Sequence, residues 1–315
     1  MPLHEKLENR ALMEFFLKTL TPLHVGAGGV GEITKTILQF TVGNSLKPII
    51  PAESIKGVLR AEATRIAKRM SFSDEVNAIV NVHNKAEHSF QKEARGTMLQ
   101  KASDFIKKLG VFENIQQKEL GESSDAILEI YASYHCPICR LFGSKYLAGK
   151  LLFTDAIPVV IKSNQKSDGE ELETEYLKLG SYTSTAINRK TGTVEERRLF
   201  TTQYVEPSNN LRFYFKIIGD NILRGDEAKL LANVLEYMSL KIEDKTVGIN
   251  LGGAKSRGFG EVEVDEDNTV IKLVSFTTNH SGDEKLKNIR KLLFKEGFFE
   301  AYKLSDFIKL LKKEA

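Results

Sequence analysis

The sequence predicts an α+β fold, one core of strands and helices interrupted by long insertions. Residues 11–25 and 211–218 alternate apolar and polar side chains with the period of a strand, whereas residues 50–70 carry apolar residues at helical spacing. Between that helix and the next strand-like stretch lies a polar segment, 71–130, with weak strand character throughout. Strand, helix, insertion, strands, helix and strand follow one another in that order.

Taken in turn, "ALMEFFLKTLTPLHV" (11–25) forms the first strand and ends at the loop "GAGGVG". Residues 33–50 are extended around the turn "GNS". "IPAESIKGVLRAEATRIAKRM" is a helix that buries Ile55, Val58, Leu59, Ile66 and Met70, with Ser54 placed to cap its start. Lys56 and Arg60 stand one turn apart, off that stripe. Residues 71–130, with "NVHNKAEHSF" inside, form an inserted subdomain or lid. Strand composition returns in "GKLLFTDAIPVVI" (149–161). In 181–206, β-branched arms flank "NRKTGTVEERR", four basic residues against two acidic ones, the pattern of an exposed cationic hairpin. "LRFYFKII" (211–218) sets Leu211, Phe213, Phe215 and Ile217 against Arg212, Tyr214 and Lys216, a half-buried strand. "DEAKLLANVLEYMSL" is an amphipathic helix, followed by a glycine-rich loop, a strand in "GEVEVDED", and a basic helical tail over 283–315. The whole resembles a ferredoxin-like core with long insertions, without internal repeats.

At 315 residues and 41% hydrophobic content, the chain is long enough for one large domain or two ordinary ones with a substantial core. Its 28% charged residues balance to +3, so nucleic-acid binding would have to come from local patches. No run of about 18 apolar residues is present and "MPLHEKLENR" lacks the apolar core of a secretory signal, so the expected location is cytoplasmic, with no membrane partner.

Five features could carry chemistry. The loop "VGINLGGAKSRGFGEVEV" has glycines at 248, 252, 253, 258 and 260, which permit positive φ and close approach of backbone donors to an oxyanion, while Lys255 and Arg257 add charge. A helix precedes it and a strand follows, the reverse of a mononucleotide-binding loop; a plain glycine-rich turn is the alternative. In "SIKGVLR", Lys56 and Arg60 near a helix start suit polymer phosphates, or are simply solvated. Arg189, Lys190, Arg197 and Arg198 of the 181–206 hairpin could reach across a nucleic-acid strand, or form a solvated loop. Cys136 and Cys139, the only cysteines, supply half of a tetrahedral zinc site, with His83 and His88 as donors of the other half and His135 as a substitute. Buried free thiols or a redox pair are the alternatives; a zinc ion here would be structural, tying the insertion to the core. His24 and Asp155 are isolated candidates for catalysis without visible partners.

Four stretches occurring in order, "LTPLHVGAGG", "IPAESIKGVLR", "CPICRLFGS" and "NLGGAKSRGFGEV", resemble the RAMP superfamily of CRISPR-associated proteins. The resemblance covers about residues 13–265 and is greatest to the backbone subunits of type III (Csm/Cmr-like) effector complexes. It implies a modified ferredoxin-like or RRM-like core from 1–70 and 149–275, an inserted helical lid at 71–148 with a recurrent zinc site, a β-hairpin thumb at about 181–206 and a C-terminal helical segment at 276–315. Such subunits stack as a filament of copies or paralogues along a guide RNA (crRNA) that pairs with target RNA, beside other effector subunits in antiviral defence. By motif, Ser54, Lys56 and Arg60 would hold guide phosphates, and Gly252, Gly253, Lys255, Ser256, Arg257, Gly258 and Gly260 would pack beside them.

In the target-cleaving members an aspartate lies upstream of the "IP-x-S-x-KG" helix; here "EITKTILQF" places Thr36 at that position, with Glu32 the nearest acid. Without that carboxylate, activation of the RNA 2′-OH loses its expected group, and the expectation is a subunit that binds without cutting. The alternatives are a RAMP endoribonuclease, cleaving target RNA through Glu32 or Asp155 or processing repeat RNA through His24, and a capping subunit that touches little RNA.

Overall fold

The structure is a computed structural model that describes residues 7–27, 34–42, 44–85, 87–109, 124–161, 176–187, 194–242, 245–246, 249–276 and 300–314. Strand β1 (Asn9–Thr19) opens the chain. β2 (Thr34–Lys35) follows, then the hairpin β3 (Gln39–Val42) and β4 (Ser45–Pro48), then helix α1 (Ala52–Ala67). The insertion holds α2 (Asp74–Val82), a short hairpin of β5 (His83–Asn84) and β6 (Glu87–His88), α3 (Lys92–Leu109), α4 (Ser124–His135) and α5 (Pro137–Phe142). β7 (Leu151–Phe153), β8 (Ile157–Val160), the long arms β9 (Leu179–Ile187) and β10 (Val194–Val205), β11 (Leu211–Asp220) and α6 (Gly225–Ser239) come next. The chain then runs through the hairpin β12 (Lys241–Ile242) and β13 (Lys245–Thr246), β14 (Ile249–Asn250), β15 (Glu261–Val264), β16 (Val270–Ser275), β17 (Glu300–Tyr302) and α7 (Leu304–Glu314).

The central pair is β1 and β11, antiparallel from Arg10↔Asp220 to Leu17↔Phe213. β15 and β16 flank β1, and β7 and β8 flank β11. Counting β7 and β8 as the second strand and β15 and β16 as the fourth, the antiparallel order is 4-1-3-2 with α1 and α6 as the crossovers, a ferredoxin-like α+β arrangement. Its register follows from the alternation in sequence: Ala11, Met13, Phe15 and Leu17 of β1 and Phe213, Phe215 and Ile217 of β11 are all buried, and Phe15 stacks on its cross-strand partner Phe215 with ring centroids 5.3 Å apart. The opposite face is polar: Glu14 accepts from Tyr214 Oη at 2.9 Å and pairs with Lys272, and Arg212 pairs with Asp265 at 2.7 Å.

Several elements differ from the sequence expectation, each for a local reason. The first strand stops at Thr19, ahead of Pro22, which has no N–H for a ladder; beyond it the Leu20 and Thr21 N–H groups donate to the Glu261 carbonyl of β15, and Leu23 bridges to Val205. α1 buries Ile55 and Leu59 as expected, but its seam continues through Ala63 and Ala67, while Val58, Ile66 and Met70 lie at its margin. Ser54 is not its cap. The helix begins at Ala52, and the Ala52 N–H donates to Asp155 Oδ1 at 2.8 Å, a carboxylate that the gap between β7 and β8 brings across the bridge Ile50↔Ala156. Of the tail expected to be helical over 283–315, residues 283–299 lie outside the described residues; Glu300–Tyr302 pairs with β16, and Leu304, Phe307, Ile308 and Leu311 bury α7 among the core residues. The buried carboxylate of Glu227 on α6 holds Lys150 at 2.7 Å and Arg140 of α5 at 2.6 Å, fastening the cysteine-bearing turn to the core helix layer.

Candidate metal centre and the surface around the glycine-rich loop

The β5–β6 hairpin exists to place two imidazoles: His83 and His88 are cross-strand partners. Cys136 sits at the N-cap of α5 and Cys139 in its first turn, both completely buried. His83 Nδ1 lies 3.3 Å from His88 Nε2, 3.6 Å from Cys136 Sγ and 3.7 Å from Cys139 Sγ, and the four ligand atoms all lie within 4.8 Å of one another. Four donors around a zinc-sized ion, at about 2.3 Å to sulfur and about 2.0 Å to nitrogen, stand roughly 3.3–3.8 Å apart when tetrahedral. The residues present therefore fit a closed two-nitrogen, two-sulfur metal site. His135, the alternative donor, is turned away: its Nδ1–H donates to the Tyr131 carbonyl and its ring packs on Tyr131 and Phe105.

Glu129 on α4 aligns His88. It accepts the His88 Nδ1–H at 2.9 Å on one oxygen and the His88 backbone N–H at 2.9 Å on the other, so that Nε2 faces the cysteines. Burial alone would lower the His88 pKa, but the hydrogen bonds to Cys136 and Glu129 push it up to about 9. Burial likewise raises the Cys136 thiol, yet hydrogen bonds from Cys139, His83 and His88 hold it well below an ordinary thiol; Cys139, hydrogen-bonded to that neighbouring sulfur and buried, is pushed up. Arg60, expected beside Lys56 on the outer side of α1, has its Nη2 3.8 Å from Cys139 Sγ, and its Nε is buried without a hydrogen-bond partner.

The glycine-rich segment is the tip of a hairpin between β14 and β15, closed by Leu251 N–H to the Gly260 carbonyl at 2.8 Å. Gly252 and Gly260 are required by this protein's own backbone: each has φ near +80°, and a Cβ would stand 2.2 Å from the His24 carbonyl oxygen or 1.9 Å from that of Leu251. Lys255, Ser256 and Arg257 form an exposed turn of 3₁₀ helix, with Gly253 behind it donating its N–H to the His24 carbonyl. His24 is nearly buried, and its Nδ1–H donates to the Gln203 carbonyl of β10 at 2.6 Å, so it pins the loop to the long hairpin. Burial lowers the Lys255 pKa, with Glu62 supporting and Arg65 opposing its charge.

The arms β9 and β10 pair from Val194↔Ile187 to Val205↔Leu179, with a register shift between Val194 and Leu199, and β2 joins β10 as a third strand. At their base, Arg257 Nη1 reaches Ser184 Oγ at 3.4 Å and Phe259 packs between Tyr182 and Tyr204. Lys35 lies 5.9 Å over the Phe200 ring, and Thr36 is exposed beside it. Arg189, Lys190 and Glu32 fall outside the described residues; the backbones of Arg197 and Arg198 lie in β10. Ser54 and Lys56 lie half-buried in the first turns of α1. The loop and the hairpin thus come together, while the Cys–His cluster joins the β5–β6 hairpin to α5 within the insertion. Glu129 and the Arg60 contact were not foreseen; a lone carboxylate seven residues before Cys136, on the same helix face, is the signal that pointed to the former.

Among the described residues no helix is long and apolar enough to cross a membrane. No curated protein matches the chain. A family model described as RAMPs, RAMP superfamily, matches residues 16–263, from the second half of β1 to β15.

Proposed function

The chain belongs to the RAMP superfamily, which gives it a CRISPR-associated, RNA-binding role, and from that premise we propose that it is a guide-RNA-binding backbone subunit of a type III effector complex. The observation that supports the reading is the exposed Lys255–Arg257 turn joined to the long hairpin, with Arg257 Nη1 3.4 Å from Ser184 Oγ. Lys56, Lys255 and Arg257 hold guide phosphates there, Ser54 and Ser256 add hydroxyl donors, and the hairpin with Arg189, Lys190, Arg197 and Arg198 acts as the thumb. Copies or paralogues stack along the guide, which remains free to pair with target RNA.

The subunit binds without cutting. Thr36 offers no carboxylate, the Asp155 carboxylate is engaged at the α1 N-terminus, and the His24 imidazole is pinned to Gln203. His83, His88, Cys136 and Cys139 would hold a structural zinc ion, which would tie hairpin β5–β6 to α5.

Binding of a single-stranded guide should be salt-sensitive and largely indifferent to sequence. Replacing Lys56, Lys255 and Arg257 by Ala should reduce the slope of log affinity against log salt by about 0.7 per lost contact. An unchanged slope overturns the proposed groove. Complex mass that grows with guide length supports stacking, whereas a fixed one-to-one complex assigns a capping role; cleavage of a labelled target with divalent metal present overturns the non-cutting reading.

A further inference from the structure

We propose that Arg60 is an outer-sphere partner of the metal centre: its guanidinium donates to the Cys139 thiolate and so couples that centre to α1, the helix that carries Lys56. The proposal rests on the zinc reading of the His–Cys cluster. It assigns Arg60 a place different from the phosphate contact that its spacing from Lys56 predicts.

The geometry points inward. Arg60 Nη2 is 3.8 Å from Cys139 Sγ, within range of a hydrogen bond to a large, polarisable sulfur. Among the described residues Arg60 Nε is buried without a hydrogen-bond partner, so the half-buried side chain turns that edge of its guanidinium inward, with Nη2 toward the sulfur. A buried guanidinium is retained at low cost only where an anion faces it, and Cys139 is the group that the guanidinium reaches. A coordinating thiol is deprotonated, so a metal-bound Cys139 supplies that anion. The donor and acceptor stand on different elements, α1 and α5, both packed against α6. Metal bound between the lid hairpin and α5 therefore also fixes the rotation of α1 about its axis.

The metal centre then has two outer-sphere contacts of opposite sign. Glu129 accepts a hydrogen bond from His88 Nδ1–H and strengthens a nitrogen donor; Arg60 donates to a sulfur and stabilises the thiolate.

The experiment uses full-length protein loaded with zinc or cobalt(II), comparing wild type with Arg60→Met, Arg60→Lys and Lys56→Ala. Metal affinity is read by competition with a chelating indicator, the thiolate-to-cobalt absorption band reports the sulfur environment, and salt dependence of single-stranded RNA binding is measured in parallel. Arg60→Met should weaken metal affinity by about 10–100-fold and shift the cobalt–thiolate band, with the RNA salt slope retained. Arg60→Lys, which keeps the charge without the planar fork and guards against a folding defect in the first variant, should fall between. Lys56→Ala should leave metal affinity unchanged and lower the salt slope by about 0.7. A wild-type protein that takes up neither zinc nor cobalt overturns the metal centre and the proposal with it. A wild type that binds metal, with Arg60→Met retaining affinity within about twofold and losing salt slope, overturns the proposal alone and makes Arg60 a phosphate contact.

Discussion

The β1–β11 pair and the lid are held together by different physics. The strands bury Met13, Phe15, Leu17, Phe213, Phe215 and Ile217 in one register, and each position contributes through burial and packing alone. In the lid, α2 contributes Ile79 and Val80, α3 Met98, Ala102 and Ile106, α4 Leu128, Tyr131 and Ala132, and α5 Ile138, Leu141 and Phe142. To this apolar packing the lid adds a polar set, His83, His88, Cys136, Cys139 and Glu129, whose strength depends on an ion and on protonation. A region stabilised by apolar area is insensitive to solution conditions, and one stabilised by donors is conditional. The zinc of the proposal would therefore matter where the sequence is poorest in apolar residues.

The contrast can be broken first in the core. Phe215→Ala removes a fully buried ring that stacks on Phe15 and should cost about 3–5 kcal/mol in denaturant unfolding whether or not metal is present. A cost that depended on metal would show that core and lid unfold as one unit.

Metal removal is the complementary case. If the ion is held at about 100 times its Kd, chelation should withdraw about 2.7 kcal/mol from the elements it joins. Amide exchange should then accelerate in α2, α4 and the β5–β6 hairpin while β1 and β11 stay protected. Because His88 is pushed up to about 9, it binds a proton at neutral pH that the metal must displace, so metal affinity should fall as pH is lowered from about 9. Affinity that is flat from pH 9 to pH 6 would contradict the ligand assignment.

A smaller effect sharpens the boundary between the two. Asp155→Ala removes the acceptor for Ala52 N–H and should cost about 1 kcal/mol, with helix fraying confined to the start of α1. If instead that variant abolished an RNA-cleaving activity at unchanged stability, Asp155 would belong to chemistry.

The smallest lies on the open face of the sheet. Burial would raise the Glu14 pKa, but hydrogen bonds from Lys272 and Tyr214 hold it below the ordinary carboxylate value, and Asp265 is lowered likewise, burial being outweighed by Arg212 and Asn268. Folded pKa values below the unfolded ones mean stability that is present above the ordinary carboxylate range and lost as pH falls through the lowered values. Glu14→Gln should lower stability slightly at neutral pH, leave it nearly unchanged below the lowered value and so flatten the acid limb of the stability curve.

How much of this was legible in the sequence follows the same division. The alternation in 11–19 and 211–218 was enough to read both central strands and their buried faces, because a period of two has one meaning when one face is covered. The pair of cysteines and the histidines five residues apart were likewise legible as a cluster, since few residue sets are chemically interchangeable with it. Contacts made across large sequence separation were not: Asp155 reaches Ala52 from 103 residues away, and Arg60 reaches Cys139 from 79. The glycine loop was legible as a turn but not as a hairpin tip, because β14 has two residues and shows no period. Its glycines were expected to admit a ligand, and at 252 and 260 they admit the protein's own carbonyls.

The central claim, that RNA lies against the glycine-rich turn, the base of the long hairpin and α1, is tested most directly by amide exchange of metal-loaded protein with and without a single-stranded guide. The account predicts new protection in residues 252–260, in α1 and at the paired ends of β9 and β10, with the exposed face of β1 and β11 unchanged. Protection confined to that sheet face, around Phe16 and Tyr214, with none in the loop or α1, would contradict it.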